Sequence, residues 1–261
     1  MRKPEFLKAQ TAAYRLSKRF GFLHPAEMPL EDVAMDCGVV VIPGGLSGCE
    51  ARLVRKGKRG VIRVRASAEQ TGRQRFSITH ELGHWEQHQG TQWFACSATN
   101  LRDYQKSPEE AEANTFAAEF LMPTRLLRER CGTAGPSLAL VKAISDEFKV
   151  SLTSAAIRTI HLTKQEAVLL ISTNKTVEWY IVKSDRPGVW LEKGARLSDE
   201  TLAFHAFDGE RVEDEVAEHN ADVWFPHRFE GTEFSVSEQS MKLGSFNSVL
   251  TLLTVGDADY D

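Results

Sequence analysis

Phe6, Ala9, Ala13, Leu16 and Phe20 recur every three or four residues, so the chain opens on an amphipathic helix. A second helix is predicted over residues 30–36. The pattern then changes to short β-branched runs at 39–42, 51–54 and 61–64. Gly44-Gly45 and Lys56-Gly57-Lys58 separate them, which predicts three strands. Helical spacing returns over 74–88 and again over 108–121. Pro123 stops the latter helix, because proline disfavours the helical conformation at the residue before it.

From 124 to 164 the pattern is helical throughout. Ser137 and Ser151 are placed as N-caps, and Val150-Ser151 breaks the run into two short helices that resemble a helix-turn-helix core. Beyond 165 strands dominate: 167–171 and 177–182 flank the hairpin signal Asn174-Lys175, and 248–255 reads as a last strand. The expectation is a mixed α+β chain in three parts, 1–123, 124–164 and 165–261, the last strand-rich and without an assigned role.

Composition narrows the class. Among 261 residues, 42% are hydrophobic and 26% charged, the balance of a globular protein. The formal net charge of −4 gives no global reason to bind nucleic acid. Arg125, Arg128, Arg130, Lys142, Lys149, Arg158 and Lys164 nevertheless make the helical middle locally basic. Cys37, Cys49, Cys96 and Cys131 form no Cys-x-x-Cys pair and are read as reduced thiols. No apolar run resembles a signal peptide or approaches the ~20 residues of a membrane span, so a cytoplasmic protein without a membrane partner is expected.

The chemistry concentrates in Phe76-Ser77-Ile78-Thr79-His80-Glu81-Leu82-Gly83-His84-Trp85. Four residues apart on a helix, His80 and His84 share a face and can converge on one zinc ion. Glu81 flanks that face, where a carboxylate can take a proton from water beside the metal. Ile78, Leu82 and Trp85 supply an apolar stripe that packs the helix, and Gly83 leaves room for a neighbour to approach. A catalytic zinc needs a third protein ligand. The next helix offers Glu110 and Glu112, with Glu109 and Glu119 read as solvated charges. Ser107 with Glu110 also fits a capping box, with Pro108 at the first helical position. Glu110 and Asn114 share one face, so a ligand and a supporting amide could point the same way, and alanines at 111, 113, 117 and 118 permit close packing.

Together with Val61-Ile62-Arg63-Val64, Arg73-Gln74-Arg75, Glu110-Ala111-Glu112-Ala113-Asn114 and Phe120-Leu121-Met122-Pro123, this motif resembles the ImmA/IrrE family of metallopeptidases over residues 60–123. The resemblance implies a thermolysin-like domain with a short sheet beside two active-site helices, one zinc per chain, and Glu110 as third ligand. It also implies an endopeptidase that cuts a helix-turn-helix repressor and so releases stress-response or mobile-element genes. A second reading is a DNA- or protein-binding regulator, or a toxin–antitoxin component, with a non-catalytic zinc. The intact Glu81 argues against it, and direct DNA contact is the less favoured role for the helical middle.

Other residues are assigned more simply. His88 and Tyr104 are the nearest candidates to stabilise an oxyanion, although His88 also reads as helix surface. The span 50–65 is expected to offer a strand edge to an extended substrate. His161, His205, His219 and His227 lack metal-like spacing, and Trp179, Trp190 and Trp224 are expected to fill a core.

Overall fold

A computed structural model describes residues 2–21, 24–46, 49–66, 71–88, 107–225, 234–244 and 247–256, with the backbone of Trp93 and Phe94. Cys96, Tyr104 and His227 lie outside the described residues. The fold is mixed α+β with two separate sheets. Its residues fall into two compact units, 1–126 with 144–154, and 127–143 with 155–261.

The first unit opens with helix α1 (Phe6–Phe20), whose face of Ala9, Ala13 and Leu16 is buried. A 3-10 turn (Pro25–Glu27) leads to α2 (Leu30–Asp36). Strands β1 (Val39–Gly44), β2 (Ala51–Lys56) and β3 (Arg59–Arg65) follow, then α3 (Gly72–Gln87), the two-residue strand β4 (Trp93–Phe94) and α4 (Pro108–Leu121). The sheet order is β1-β3-β2-β4, with β1 parallel to β3 and the other pairs antiparallel. Strict alternation along β3 turns Ile62 and Val64 inward, and Val39, Ala51 and Leu53 join them in the core. The same alternation exposes Arg52, Lys56, Arg59, Arg63 and Arg65 around Val40, Val54 and Val61, so these five basic residues share the outer sheet face.

Helix α3 begins earlier than the apolar spacing suggests. Thr71 and Gln74 form a complete capping box, Gln74 N–H donating to Thr71 Oγ1 at 3.2 Å and Thr71 N–H to Gln74 Oε1 at 3.0 Å. At its other end Trp85 lies flat on β3, where a Cβ on Gly60 would come 2.8 Å from the indole ring. The Trp85 Nε1–H donates to the Cys37 carbonyl at 2.9 Å, and the Arg55 guanidinium stacks 3.8 Å from the ring centroid. Sheet and helix are therefore locked together at the end of the metal-motif helix.

One expectation for this unit is narrowed and another corrected. Strand β3 is bonded on both sides, so 59–65 offers no edge to a substrate, whereas the outer side of β2 is bonded to β4 only at Leu53 and Val54. Glu119 is not simply solvated: its carboxylate accepts from Thr124 N at 2.9 Å and Thr124 Oγ1 at 2.6 Å, capping the next helix.

Burial pushes the Cys37 thiol up to about 12, with the nearby Glu86 carboxylate adding to the effect. Since the thiolate is the reactive form, such a shift leaves roughly a thousandth of an ordinary cysteine's thiolate at pH 8. Iodoacetamide at that pH should leave Cys37 unlabelled in the native protein and label it in urea, read by peptide mass spectrometry; rapid native labelling would contradict this placement.

Helices α5 (Thr124–Thr133), α6 (Leu138–Phe148) and α7 (Leu152–Leu162) make up the helical stretch, and their residues are divided between the two units. Ser137 Oγ accepts from Leu140 N–H and Ser151 Oγ from Ser154 N–H, so both serines cap as read from the sequence. Lys149, at φ 52, turns the chain between α6 and α7. Arg158, counted among the basic residues, is buried.

The second unit carries β5 (Ala167–Thr173), β6 (Thr176–Lys183), α8 (Leu202–Phe207), β7 (Ala217–Asn220), α9 (Ala221–Trp224), β8 (Ser235–Leu243) and β9 (Ser248–Val255). All pairs in the order β6-β5-β9-β8-β7 are antiparallel. Asn174 (φ 51) and Lys175 (φ 61) both take the left-handed conformation that a two-residue hairpin of this twist requires. Strands β5 and β9 are buried on both faces, hence their unbroken apolar runs. Glu238, fully buried in β8, accepts from Leu202 N, Ala203 N, Ser240 Oγ and Trp224 Nε1, and lies 2.9 Å from His219 Nε2. Trp224 is a core residue, Trp179 is half-buried, and Trp190, expected inside, is 45% exposed.

Candidate metal centre

Helices α3 and α4 build the site. Gly83 lets them touch: a Cβ there would meet Ala113 Cα at 3.1 Å, Ala113 O at 3.2 Å and Phe116 Cβ at 3.2 Å. Ala113 and Ala117 are fully buried, consistent with the small-residue face read from the sequence. Gly83→Ala should gain ~1 kcal/mol of helix propensity. It must also push α4 away by a few tenths of an ångström, at a cost of ~1–3 kcal/mol. The net expectation is lower stability in urea and weaker metal binding, because Glu110 rides on α4. A variant more stable than wild type with unchanged metal affinity would refute it.

That close approach brings three side chains together. His80 Nε2 and His84 Nε2 lie 3.1 Å apart, and Glu110 places Oε2 3.2 Å from the first and Oε1 3.3 Å from the second. A tetrahedral ion with bonds of about 2.0–2.1 Å spaces its ligand atoms about 3.3–3.4 Å apart. The cluster therefore fits such an ion, and His80, His84 and Glu110 are the one three-residue group of this kind among the described residues. His84 is fully buried and His80 nearly so.

Charge and hydrogen placement fit as well. Burial pushes His84 down to about 4 against the opposing pull of Glu110, so its ring is neutral at pH 7. Burial works against ionising Glu110, but hydrogen bonds to His80 and His84 outweigh it and hold the carboxyl well below its usual range. A neutral imidazole and an ionised carboxylate are the forms a cation requires. Asn114, one turn beyond Glu110, sits with Oδ1 2.9 Å from His80 Nδ1. An Nδ1–H there leaves Nε2 facing the cluster.

Glu110 keeps only half of its predicted capping box. Its N–H donates to Ser107 Oγ at 3.3 Å, while its carboxylate turns to the histidines. Glu112, the alternative ligand, points elsewhere: two positions along α4, it meets His88 Nε2 at 2.9 Å. Glu109 pairs with Arg2 at 3.3 Å. His88 is a further correction. It is buried instead of surface-exposed, with Nδ1 3.0 Å from His84 Nδ1. Its position was legible, since 80, 84 and 88 continue one i, i+4 row. No spacing foretold its partner Glu112.

Glu81, beside His80 on the same helix, is buried with 1% exposure. The two touching helices thus bring together two imidazoles and the Glu110 carboxylate, with a second, buried carboxylate at the position next to His80. That set suits hydrolytic chemistry with a metal.

Comparison with known proteins bears on family and fold. No protein of curated function matches the chain. A solved structure described as a Mycobacterium tuberculosis transcriptional regulator is similar across 96% of this chain and 76% of its own, with a TM-score of 0.61 at 15% identity. At that identity the likeness is one of fold. The M78 peptidase family model for the IrrE N-terminal-like domain matches residues 34–159, a span that contains both site helices. Residues 34–159 are therefore similar to the IrrE N-terminal-like domain of the M78 peptidase family.

Proposed function

We propose that this protein is a zinc-dependent endopeptidase with His80, His84 and Glu110 as the metal's ligands and Glu81 as its general base. The observation that carries the reading is the triangle of two imidazole nitrogens and a carboxylate at 3.1–3.3 Å, with a buried glutamate on the same helix. When bound, zinc supplies Lewis acidity toward water and toward the scissile carbonyl, which makes hydrolysis feasible near neutral pH. Glu81 takes the proton of the attacking water as its oxygen bonds to the carbonyl carbon, and then delivers it to the departing amine. Asn114 holds the His80 ring in the tautomer that leaves Nε2 available.

The substrate class rests on the family resemblance: a helix-turn-helix repressor whose cleavage releases stress-response or mobile-element genes. A thermolysin-like arrangement of sheet and helices belongs to the same reading, as does a cytoplasmic setting. No described helix is long and apolar enough to cross a membrane.

Metal content and cleavage measured together test the proposal. The expected result is about one zinc per chain, with cleavage of a repressor from the same cell that stops when a chelator strips the metal. A protein that takes up no divalent metal when supplied with one refutes the reading. A zinc-loaded protein that cuts no repressor or peptide would support the regulator with a non-catalytic zinc.

A further inference from the structure

We propose that His88 and Glu112, anchored by Arg2 and the Glu5 amide, form a positioning relay that fixes the His84 ring for metal binding. The N-terminal segment would thereby become part of the metal centre's support. The inference rests on the zinc reading and extends it to residues that touch neither metal nor substrate.

Hydrogen accounting gives the relay its direction. If His84 Nε2 faces the metal with its lone pair, the ring hydrogen sits on Nδ1. The atom 3.0 Å away is His88 Nδ1, which must then accept. A neutral His88 that accepts at Nδ1 carries its hydrogen at Nε2, and that hydrogen meets Glu112 Oε2 at 2.9 Å. Every link has one donor and one acceptor, and the chain ends on a carboxylate. Reversing the direction would put the hydrogen of His84 on Nε2 and close the metal face. His80 has a shorter version of the same device in Asn114.

Glu112 can serve as the end point only because its own charge is compensated. It is 3% exposed, and an ionised carboxylate at that depth needs several strong donors. Arg2 Nη2 donates to Oε2 at 2.8 Å and Glu5 N–H to Oε1 at 2.7 Å. Burial alone would raise this carboxyl, but the bonds from Glu5, His88 and Arg2 bring it below its usual range. Three separated pieces of sequence, 2–5, 80–88 and 112, thus meet in one line of hydrogen bonds.

A merely structural ion pair between the N-terminal segment and α4 would stabilise the fold without affecting the metal. The two roles separate on zinc affinity, measured by competition with a chromophoric chelator, with the melting temperature of metal-free protein as the control for folding. Supporting partners of a metal-bound histidine typically account for 10–100-fold in affinity, so His88→Leu and Glu112→Gln should each weaken zinc binding by about that factor. His88→Gln, which keeps an acceptor, should recover part of the loss. Arg2→Ala, at an exposed position, should fold normally and weaken binding by about 3–10-fold, below the full effect of a direct partner.

A long-range proton–nitrogen spectrum of the zinc-loaded wild type should show His84 protonated at Nδ1 and His88 at Nε2. Folded His88→Leu and Arg2→Ala variants that bind zinc as tightly as wild type would overturn the relay while leaving the peptidase reading intact. If His88→Leu does not fold, an unchanged affinity in Arg2→Ala together with His84 protonated at Nε2 overturns it. Wild-type protein that binds no zinc removes the foundation of both.

Discussion

Glu81→Gln should slow peptide cleavage by about 10²–10⁴-fold while the protein keeps its zinc. Glutamine has nearly the shape of glutamate, so the buried position beside His80 stays filled. The amide cannot accept a proton from water, however, and this is the step assigned to Glu81. The loss corresponds to about 2.7–5.4 kcal/mol at the transition state, because each factor of ten is about 1.36 kcal/mol. It should fall on kcat, with KM nearly unchanged, since no ground-state contact with substrate is assigned to this carboxylate. Zinc content is expected to stay at that of wild type because the three converging ligand atoms belong to His80, His84 and Glu110. A variant that retains wild-type kcat would show that another group is the base. One that loses zinc as well as activity would show that Glu81 helps to hold the metal.

Zinc itself should stabilise the fold, and Glu110→Gln should remove most of that effect. A ligand that binds only the native state at 1,000 times its dissociation constant contributes about 4.1 kcal/mol. For a domain of this size, 1 kcal/mol is about 2–4 °C in melting temperature, so saturating zinc should raise it by roughly 8–16 °C. The gain should vanish with chelator. Glutamine at 110 retains an oxygen but not the charge that offsets the cation between the two imidazoles. Its zinc affinity should fall by more than the ~100-fold typical of losing a supporting residue. Glu112→Gln, by contrast, should bind zinc measurably and gain stability from it at higher concentration. Equal losses at 110 and 112 would contradict the ligand assignment, and an unchanged melting temperature with zinc in wild type would contradict the site.

The metal motif was legible because an α-helix converts sequence spacing directly into geometry: residues at i and i+4 share a face whatever surrounds them. His80 and His84 followed from that rule alone. The hairpin at Asn174-Lys175 and the caps at Ser137 and Ser151 followed from equally local rules, and the structure has all of them. Where local signals were overlooked, as with Thr71 and Gln74 at the start of α3, the element was found but its boundary shifted. Trp190 erred differently. An aromatic ring implies a tendency to be buried, not a place in the core, and its exposure depends on neighbours that no pattern names.

The glutamate beside the two histidines marks the boundary between the two kinds of information. Glu110 and Glu112 are two residues apart on one helix, so they point to different sides of it, but their spacing cannot say which side meets α3. Family resemblance favoured Glu110; in the structure, the contact between Gly83 and Ala113 fixes how α4 lies and turns Glu110 to the histidines. The same packing sends Glu112 to His88 and Arg2, joining residues 110 positions apart in the chain. The sequence by itself determined the helices, the two histidines, the adjacent glutamate and the mixed α+β class, because each depends on propensity or periodicity within a few residues. Only the tertiary structure decided which carboxylate meets the two histidines, which ring lies against which, and which strands are internal, because these depend on how separate helices and strands pack.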